Sequence, residues 1–127
     1  MSALNIFSVA SRHSEWLSVR RSTIASNVAN VNTPGYRARD VHPFSTELQS
    51  AATARPASTH RQHIPVTVPT SLASDLQEAS TVEVYHSGNT VNLDQEMLKV
   101  GELAREQALN AGVVRAFHRM VLASAKV

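Results

Sequence analysis

Three groups of side chains in this sequence have residue types that could do chemistry. His60 and His63 have the spacing of two metal ligands on one helical turn, with His86 as a candidate third ligand. Pro56 and Pro65 flank the pair, however, and no cysteine or well-placed carboxylate completes a tetrahedral site. We therefore predict no metal site and no cofactor.

The second group is a pair of carboxylates, Asp94 and Glu96, of the kind that enzymes use for acid and base catalysis. Side chains two apart on a helix point in different directions, so we interpret both as first-turn residues that complement the helix dipole. The sequence also has no glycine-rich phosphate loop and no serine in a nucleophile motif. We predict no enzymatic activity.

The third group consists of arginines that would suit a nucleic-acid-binding face, namely Arg12, Arg20, Arg21, Arg37 and Arg39. A small helical nucleic-acid-binding module is therefore a second function that the sequence allows. The formal net charge of +2 provides little general attraction to nucleic acid. Because arginines on the polar side of an amphipathic helix are more often solvated or paired, we rank a structural role above this one.

These groups must be positioned by two amphipathic helices, the first of which is predicted from Leu4 to about Val31. Its apolar side chains follow a seven-residue step and form one stripe, with members at Leu17, Ile24, Val28 and Val31. Trp16, beside this stripe, is interpreted as a packing residue. A helix of this length, about 40 Å, needs a partner to cover its apolar stripe.

The second helix is predicted to begin after Asn92, whose side chain can cap the backbone N–H groups of the first turn. Its apolar side chains again keep a seven-residue step, and the resulting narrow face includes Met97, Val100, Val114 and Val121. We expect the two helices to pack as a coiled-coil-like pair, antiparallel or steeply crossed. We also predict that their two stripes form the assembly interface with neighbouring subunits.

The helices divide one structural unit into three consecutive parts. These are an N-terminal core helix over residues 1–32, a turn with an extended and loop-rich middle segment over 33–90, and a C-terminal core helix over 91–127. Alternating apolar residues in Val66–Val68 and Thr81–Tyr85 predict a short β-hairpin in the middle segment. The fold class is therefore mainly α.

A fixed turn is predicted where the first helix ends. Thr33 precedes a proline and is pushed out of the helical conformation. Pro34 and Gly35 are the residue types that a type II turn prefers at its two central positions. We predict that this turn directs Tyr36 back toward the end of the helix.

The whole string from Ala25 to Tyr36 resembles the N-terminal signature of the bacterial flagellar axial proteins, the family of rod, hook and hook-associated proteins. Besides three small or apolar positions, the matching residues are Asn27, Asn30, Thr33, Pro34, Gly35 and Tyr36. The strings Arg37–Val41 and Ser87–Met97, together with the short length of the chain, resemble a proximal-rod member. Another short rod protein, of the FlgC type, is the alternative within the family.

The resemblance implies a structural subunit of the proximal rod, the drive shaft of the basal body, needed for flagellum assembly and motility. It implies partners in the rod proteins FlgC, FlgF and FlgG, in the ring-to-rod adaptor FliE, and in further copies of this chain in a helical assembly. It also implies passage through the flagellar type III export apparatus into the periplasmic rod. The N-terminus shows no pattern of a cleaved signal peptide, and no apolar run approaches the length of a membrane span.

Overall fold

The computed structural model describes residues 2–53, 76–79 and 83–125. In chain order, the described elements are α1 (Ser2–Ala29), β1 (Arg39–Val41), α2 (Phe44–Thr53), β2 (Leu76–Glu78) and α3 (Leu93–Ala125). The protein is mainly helical, with its two long helices at the ends of the chain, as the sequence predicts.

The two terminal helices pack against each other in antiparallel orientation. Near the start of α1, the ring of Phe7 meets the ring of Phe117 edge to face, with centroids 6.3 Å apart. At the other end of α1, the side chain of Asn27 is hydrogen-bonded to Glu96, at the start of α3. The predicted pairing of the terminal helices is therefore confirmed, with its direction now fixed.

A small hydrophobic core lies where α1, β1 and α3 meet. It contains Trp16, Leu17, Val41 and Leu103, and the partly buried Phe44 at the start of α2 packs against it. The indole N–H of Trp16 donates a hydrogen bond of 2.8 Å to the carbonyl of His42, so its polar atom is paired. The interpretation of Trp16 as a packing residue is confirmed.

A two-stranded antiparallel sheet occupies the middle segment, as predicted, but its strands are not the ones expected from the sequence. β1 pairs with β2 in the register Arg39 to Glu78, Asp40 to Gln77 and Val41 to Leu76. Val66–Val68 lies outside the described residues, and residues 83–85 form no strand. Strands of three residues carry too short an alternation to be recognised, and β1 is held by contact with α1.

Within residues 2–53, 76–79 and 83–125, no helix is long and apolar enough to cross a bilayer.

Candidate assembly site

The chain turns at the end of α1, as the sequence predicts. The last turn of α1 and the turn that follows it, residues 26–36, are called the corner. The helix ends at Ala29, and the backbone N–H of Tyr36 then donates a hydrogen bond of 3.3 Å to the carbonyl of Thr33. Gly35 has a φ of 71°, in the left-handed region that a type II turn requires at its third position. These are the features expected of a type II turn over Thr33–Tyr36.

Tyr36 returns to the end of α1. Its hydroxyl lies 3.3 Å from the hydroxyl oxygen of Ser26 and donates a hydrogen bond of 3.4 Å to Oδ1 of Asn27. The extended segment that leads to β1 therefore starts alongside the last turns of the helix.

Asn27 joins three elements through one buried side chain. It is 0% exposed, and its Oδ1 accepts a hydrogen bond of 3.1 Å from the backbone N–H of Arg39. Its Nδ2 donates to the carbonyl of Arg39 at 2.7 Å and to Oε2 of Glu96 at 3.1 Å. Because a buried amide must find partners for both its donor and its acceptor, this asparagine fixes α1, β1 and α3 relative to one another.

Glu96 is a buried charge at the start of a chain of ionic contacts. It is 2% exposed, and its Oε1 accepts a hydrogen bond of 2.9 Å from Nζ of Lys99. Lys99 also lies 3.3 Å from a carboxylate oxygen of Asp40, which in turn lies 3.5 Å from Nε of Arg20. A buried carboxylate is stable only when it is paired and hydrogen-bonded, as it is here.

The pKa of Lys99 reflects this environment. Burial, the largest single influence, lowers the pKa, but the hydrogen bond from Lys99 to Glu96 and the negative charges of Asp40 and Glu96 raise it. The net result is a pKa above the ordinary value of 10.5. Lys99 is therefore held in its charged form.

Asn89 closes the end of α1 from a distant part of the sequence. It is 2% exposed, and its Nδ2 lies 2.9 Å from the carbonyl oxygen of Asn30, 3.0 Å from that of Val31 and 2.7 Å from that of Thr33. Its Oδ1 accepts a hydrogen bond of 2.7 Å from the N–H of Val91. The carbonyls of the turn that follows α1 are thus bonded by a side chain more than fifty positions away.

Backbone contacts reinforce this arrangement. The N–H of Gly35 donates to the carbonyl of Ser87 at 3.0 Å, and the N–H of Thr90 donates to the carbonyl of Tyr36 at 3.0 Å. The hydroxyl oxygen of Thr90 accepts a hydrogen bond of 2.8 Å from the N–H of Ala38. The two sequence strings that resemble flagellar axial proteins therefore lie against each other at one corner of the molecule.

Sequence reasoning placed Glu96 at the first turn of a helix, which is right, and it assigned no contact to Asn89. It did not find that either side chain is buried or that both hold α1. The spacing of polar residues within one segment carries no signal for a partner more than fifty positions away. Asn92, in contrast, acts locally as predicted, because its Oδ1 accepts the N–H of Asp94 at 3.0 Å and that of Gln95 at 3.3 Å.

The structure divides the residues that we predicted as an assembly interface. Leu17 and Ile24 are buried within the chain itself, at 4% and 3% exposure. Val28, Val31 and Val114 are half-buried, whereas Met97, Val100 and Val121 are exposed. The exposed residues of the predicted assembly interface, Met97, Val100 and Val121, all belong to α3.

Helix α3 carries apolar side chains on three flanks, one of which faces α1. The flank that faces α1 carries Leu103, which is 4% exposed. The buried Glu96 and the half-buried Asn110 lie on the same flank. At about 100° per residue, the other apolar residues fall on two further flanks. The first flank has Leu93, Met97 and Val100, and the second has Leu98, Leu109, Val113 and Met120, all of them exposed.

A cavity of about 480 Å³ beside the core is lined by acidic, basic and aromatic side chains. Within it, Nε2 of His13 lies 3.9 Å from a carboxylate oxygen of Glu106, and Arg20 lies within ion-pair distance of Glu102 and Asp40. No serine, threonine, tyrosine or lysine is among its lining residues. Its charged side chains lie within ion-pair distance of one another.

The histidines and arginines that the sequence offered as candidate binding groups do not form a common site in the described residues. His60 and His63 lie outside the described residues, and His86 is exposed. In the described part of the chain, no three or more histidine or acidic side chains cluster as metal ligands. Of the five arginines, Arg20 pairs with carboxylates and Arg37 lies 3.2 Å from a carboxylate oxygen of Glu78.

Taken together, the described elements define a small helical subunit with a rigid polar corner and apolar outer flanks. Comparison with known proteins gives the same class. Residues 17–37, the second half of α1 and the corner, match the family model described as flagella basal body rod protein.

Whole-chain comparison identifies the family. The flagellar basal body rod protein FlgB of Agrobacterium fabrum is 40% identical over 129 residues, which cover 99% of this chain and 96% of that protein. The FlgB proteins of Escherichia coli and Salmonella typhimurium are 38% and 34% identical over 85 residues, which cover 61% of each chain. The chain belongs to the FlgB family of flagellar basal body rod proteins and is a structural component of that rod.

Proposed function

We propose that this chain is a subunit of the proximal part of the rod and acts by packing, with no enzymatic activity. The observation that carries the proposal is the exposure of apolar side chains on two flanks of α3 that α1 does not cover. Met97 is 53% exposed on one flank, and Leu98 and Leu109 are 71% and 66% exposed on the other. Burying such side chains against a neighbouring helix stabilises an assembly by about 1.5 to 3 kcal/mol each.

The position of the two flanks on α3 favours an assembly that does not close on itself. A pair of subunits that bury the same flank in each other would leave the second flank of both exposed. A contact between different flanks of successive copies buries both and continues indefinitely, as in a helical filament. Such a contact resists torque because the force is distributed over many apolar side chains along α3.

We further propose the partners and the route that the family resemblance implies. The partners are the other rod proteins, of the FlgC, FlgF and FlgG types, and the adaptor FliE, with contacts made through the exposed flanks of α3. The chain reaches the periplasmic rod through the flagellar type III export apparatus without cleavage of a signal peptide. The similarity to FlgB proteins over nearly the whole chain supports this proposal.

The corner has a separate role in this proposal. Asn27 and Tyr36 fix the direction in which the chain leaves α1, so the middle segment of every subunit departs from the helical layer at the same angle. The motif residues Asn30, Thr33, Pro34 and Gly35 are proposed to contribute to this angle through the turn and its capping. The division into residues 1–32, 33–90 and 91–127 is part of the same proposal.

Cross-linking in assembled basal bodies tests the proposal. The chain has no cysteine, so single-cysteine variants report one position each. In purified basal bodies that retain rings and rod, Met97→Cys and Leu109→Cys, each carrying a thiol-attached photo-cross-linker, are expected to form cross-links to rod subunits identifiable by mass spectrometry. Glu83→Cys, at an exposed polar position outside the helices, is the matched control.

The outcomes separate the parts of the proposal. Cross-links from positions 97 and 109, but not from position 83, would support assembly through the flanks of α3, and their masses would identify the neighbours. Presence of the protein in the rod fraction with cross-links from position 83 alone would refute the role of α3. Absence from the rod fraction would refute the proximal-rod position itself.

A further inference from the structure

We propose that Asn89 is the positioning residue that closes the exit of α1, and that residues 87–91 form a clasp which docks on the corner as one unit. This inference is independent of the partners proposed above. The string from Ala25 to Tyr36 does not form the corner alone, because Asn89 also bonds to it.

The carbonyls that Asn89 contacts belong to the turn that follows α1. The last carbonyls of the helix itself are bonded locally, since the N–H of Asn30 bonds to the carbonyls of Ser26 and Asn27. Beyond Ala29, the amide of Asn89 lies within hydrogen-bond distance of the carbonyls of Asn30, Val31 and Thr33. Asn89 is therefore the side chain from outside the turn that joins its three carbonyls.

The side chain of Asn89 has the donors and the acceptor that this position requires. Its Nδ2 has two hydrogens for three carbonyl oxygens, so the hydrogen bonds are shared and the donor is fully used. Its Oδ1 is occupied by the N–H of Val91, which fixes the orientation of the amide group. Because Asn89 is only 2% exposed, water cannot reach its amide group to replace any of these hydrogen bonds.

The contacts of the residues next to Asn89 form together with those of Asn89 itself. The N–H of Gly35 bonds to the carbonyl of Ser87, and the N–H of Thr90 bonds to the carbonyl of Tyr36. Gly88 lies close to Gly35, since an added Cβ would come within 3.5 Å of the Cα of Gly35. Each contact brings together segments more than fifty positions apart, so none of them can form before residues 87–91 reach the corner. We therefore expect these contacts to form and break together.

The test uses the full-length chain with Asn89→Asp. This substitution keeps the shape of the side chain but replaces the N–H donors by an oxygen that faces three carbonyl oxygens. By amide hydrogen exchange near neutral pH, we expect protection at Gly35, Ala38 and Thr90 to fall at least about 100-fold. Protection in the middle of α1 and α3 should fall much less.

A pH profile of the same variant distinguishes loss of a donor from a general loss of packing. Burial and the surrounding carbonyl oxygens raise the folded-state pKa of the new carboxyl above its unfolded value of about 3.9. The charged form is therefore disfavoured in the fold, and the deficit in stability relative to wild type is greatest above the folded-state pKa. As the pH falls through that value, the neutral acid regains one O–H donor, and the urea midpoint should approach that of wild type.

Asn92→Asp is the matched control. Asn92 lies in the same segment, but it acts as an acceptor at the N-terminus of α3, a role that a carboxylate fills equally well. We expect this variant to keep the protection of Gly35, Ala38 and Thr90. The proposal is refuted if the two variants behave alike, or if Asn89→Asp lowers protection equally throughout the helices.

A second variant applies if Asn89→Asp does not fold. Thr90→Val removes the acceptor of the Ala38 N–H and leaves Asn89 intact. If the clasp docks as one unit, the amides of Gly35 and Thr90 should lose protection together with that of Ala38. Loss confined to Ala38 would refute the clasp.

Discussion

Asn27 and Glu96 lie 69 positions apart in the sequence, and their side chains are joined by a hydrogen bond of 3.1 Å from Nδ2 to Oε2. Both residues are buried, at 0% and 2% exposure. The bond links the last turns of α1 to the first turn of α3. Since neither side chain can turn to water, removal of one leaves the other without a partner it needs.

Glu96→Ala is expected to lower the free energy of unfolding by about 3 kcal/mol, because the partly buried ammonium of Lys99 loses one of its two carboxylates and the buried amide of Asn27 loses one of its acceptors. Equilibrium urea unfolding followed by circular dichroism measures the change. Asp94→Ala is the control, since Asp94 is an exposed carboxylate two residues away. It should cost less than about 1 kcal/mol, the value of an exposed helix-dipole contact. Equal losses in the two variants would contradict the role of Glu96.

Lys99 is expected to make the stability of the wild type depend on pH in the alkaline range. Its folded-state pKa is raised above 10.5, so its contribution is complete below that value and is lost as the pH rises through the folded-state pKa. The difference in urea midpoint between wild type and Lys99→Met should therefore be constant at neutral pH and shrink above about pH 10.5. A difference that does not change with pH would contradict an ionic role for Lys99.

Leu103 and Leu98 are matched leucines on different flanks of α3, at 4% and 71% exposure. Leu103→Ala is expected to lower the free energy of unfolding of the isolated chain by about 2 to 4 kcal/mol, since it leaves a cavity in the core. Leu98→Ala should change the stability of the isolated chain by less than about 0.5 kcal/mol but reduce incorporation into the rod. Stability is measured by urea unfolding, and incorporation by quantitative mass spectrometry of basal bodies. A variant at position 98 that assembles normally would count against this flank as an interface.

Gly35 and Gly101 should respond to alanine in opposite directions. Gly35 has a φ of 71°, so Gly35→Ala is expected to destabilise the chain by about 1 kcal/mol. Gly101 lies inside α3, and a Cβ there would meet no atom of the described residues within 4 Å. Gly101→Ala should therefore stabilise the isolated chain by about 0.5 to 1 kcal/mol through helix propensity. Thermal unfolding of both variants provides the comparison, and the same sign for both would refute the argument.

Several features of the fold follow from local sequence signals. The two long helices follow from apolar periodicity, and the capping by Asn92 follows from its position before the first helical turn. The corner follows from Pro34 and Gly35, whose backbone preferences leave few alternatives. The string around them also carries the family resemblance, which whole-chain similarity confirms.

The sequence did not predict which apolar residues face inward. Leu17 and Ile24 belong to a stripe that is buried within the chain, whereas Met97 and Val100 belong to one that stays exposed. A helical period identifies apolar flanks but cannot rank them when a helix has more than one. Helix α3 has three such flanks, and the position of α1 decides which is buried.

By itself, the sequence determined the elements whose causes are local: the two long helices, the cap of α3 and the turn at Pro34 and Gly35. The tertiary structure alone decided the contacts between segments distant in sequence. These are the antiparallel packing of α1 on α3, the pairing of β1 with β2, the burial of Glu96 against Asn27 and the contact of Asn89 with the turn after α1. The physical reason is that backbone preferences act within a few residues, whereas a buried polar side chain is specified by the partners that folding brings to it.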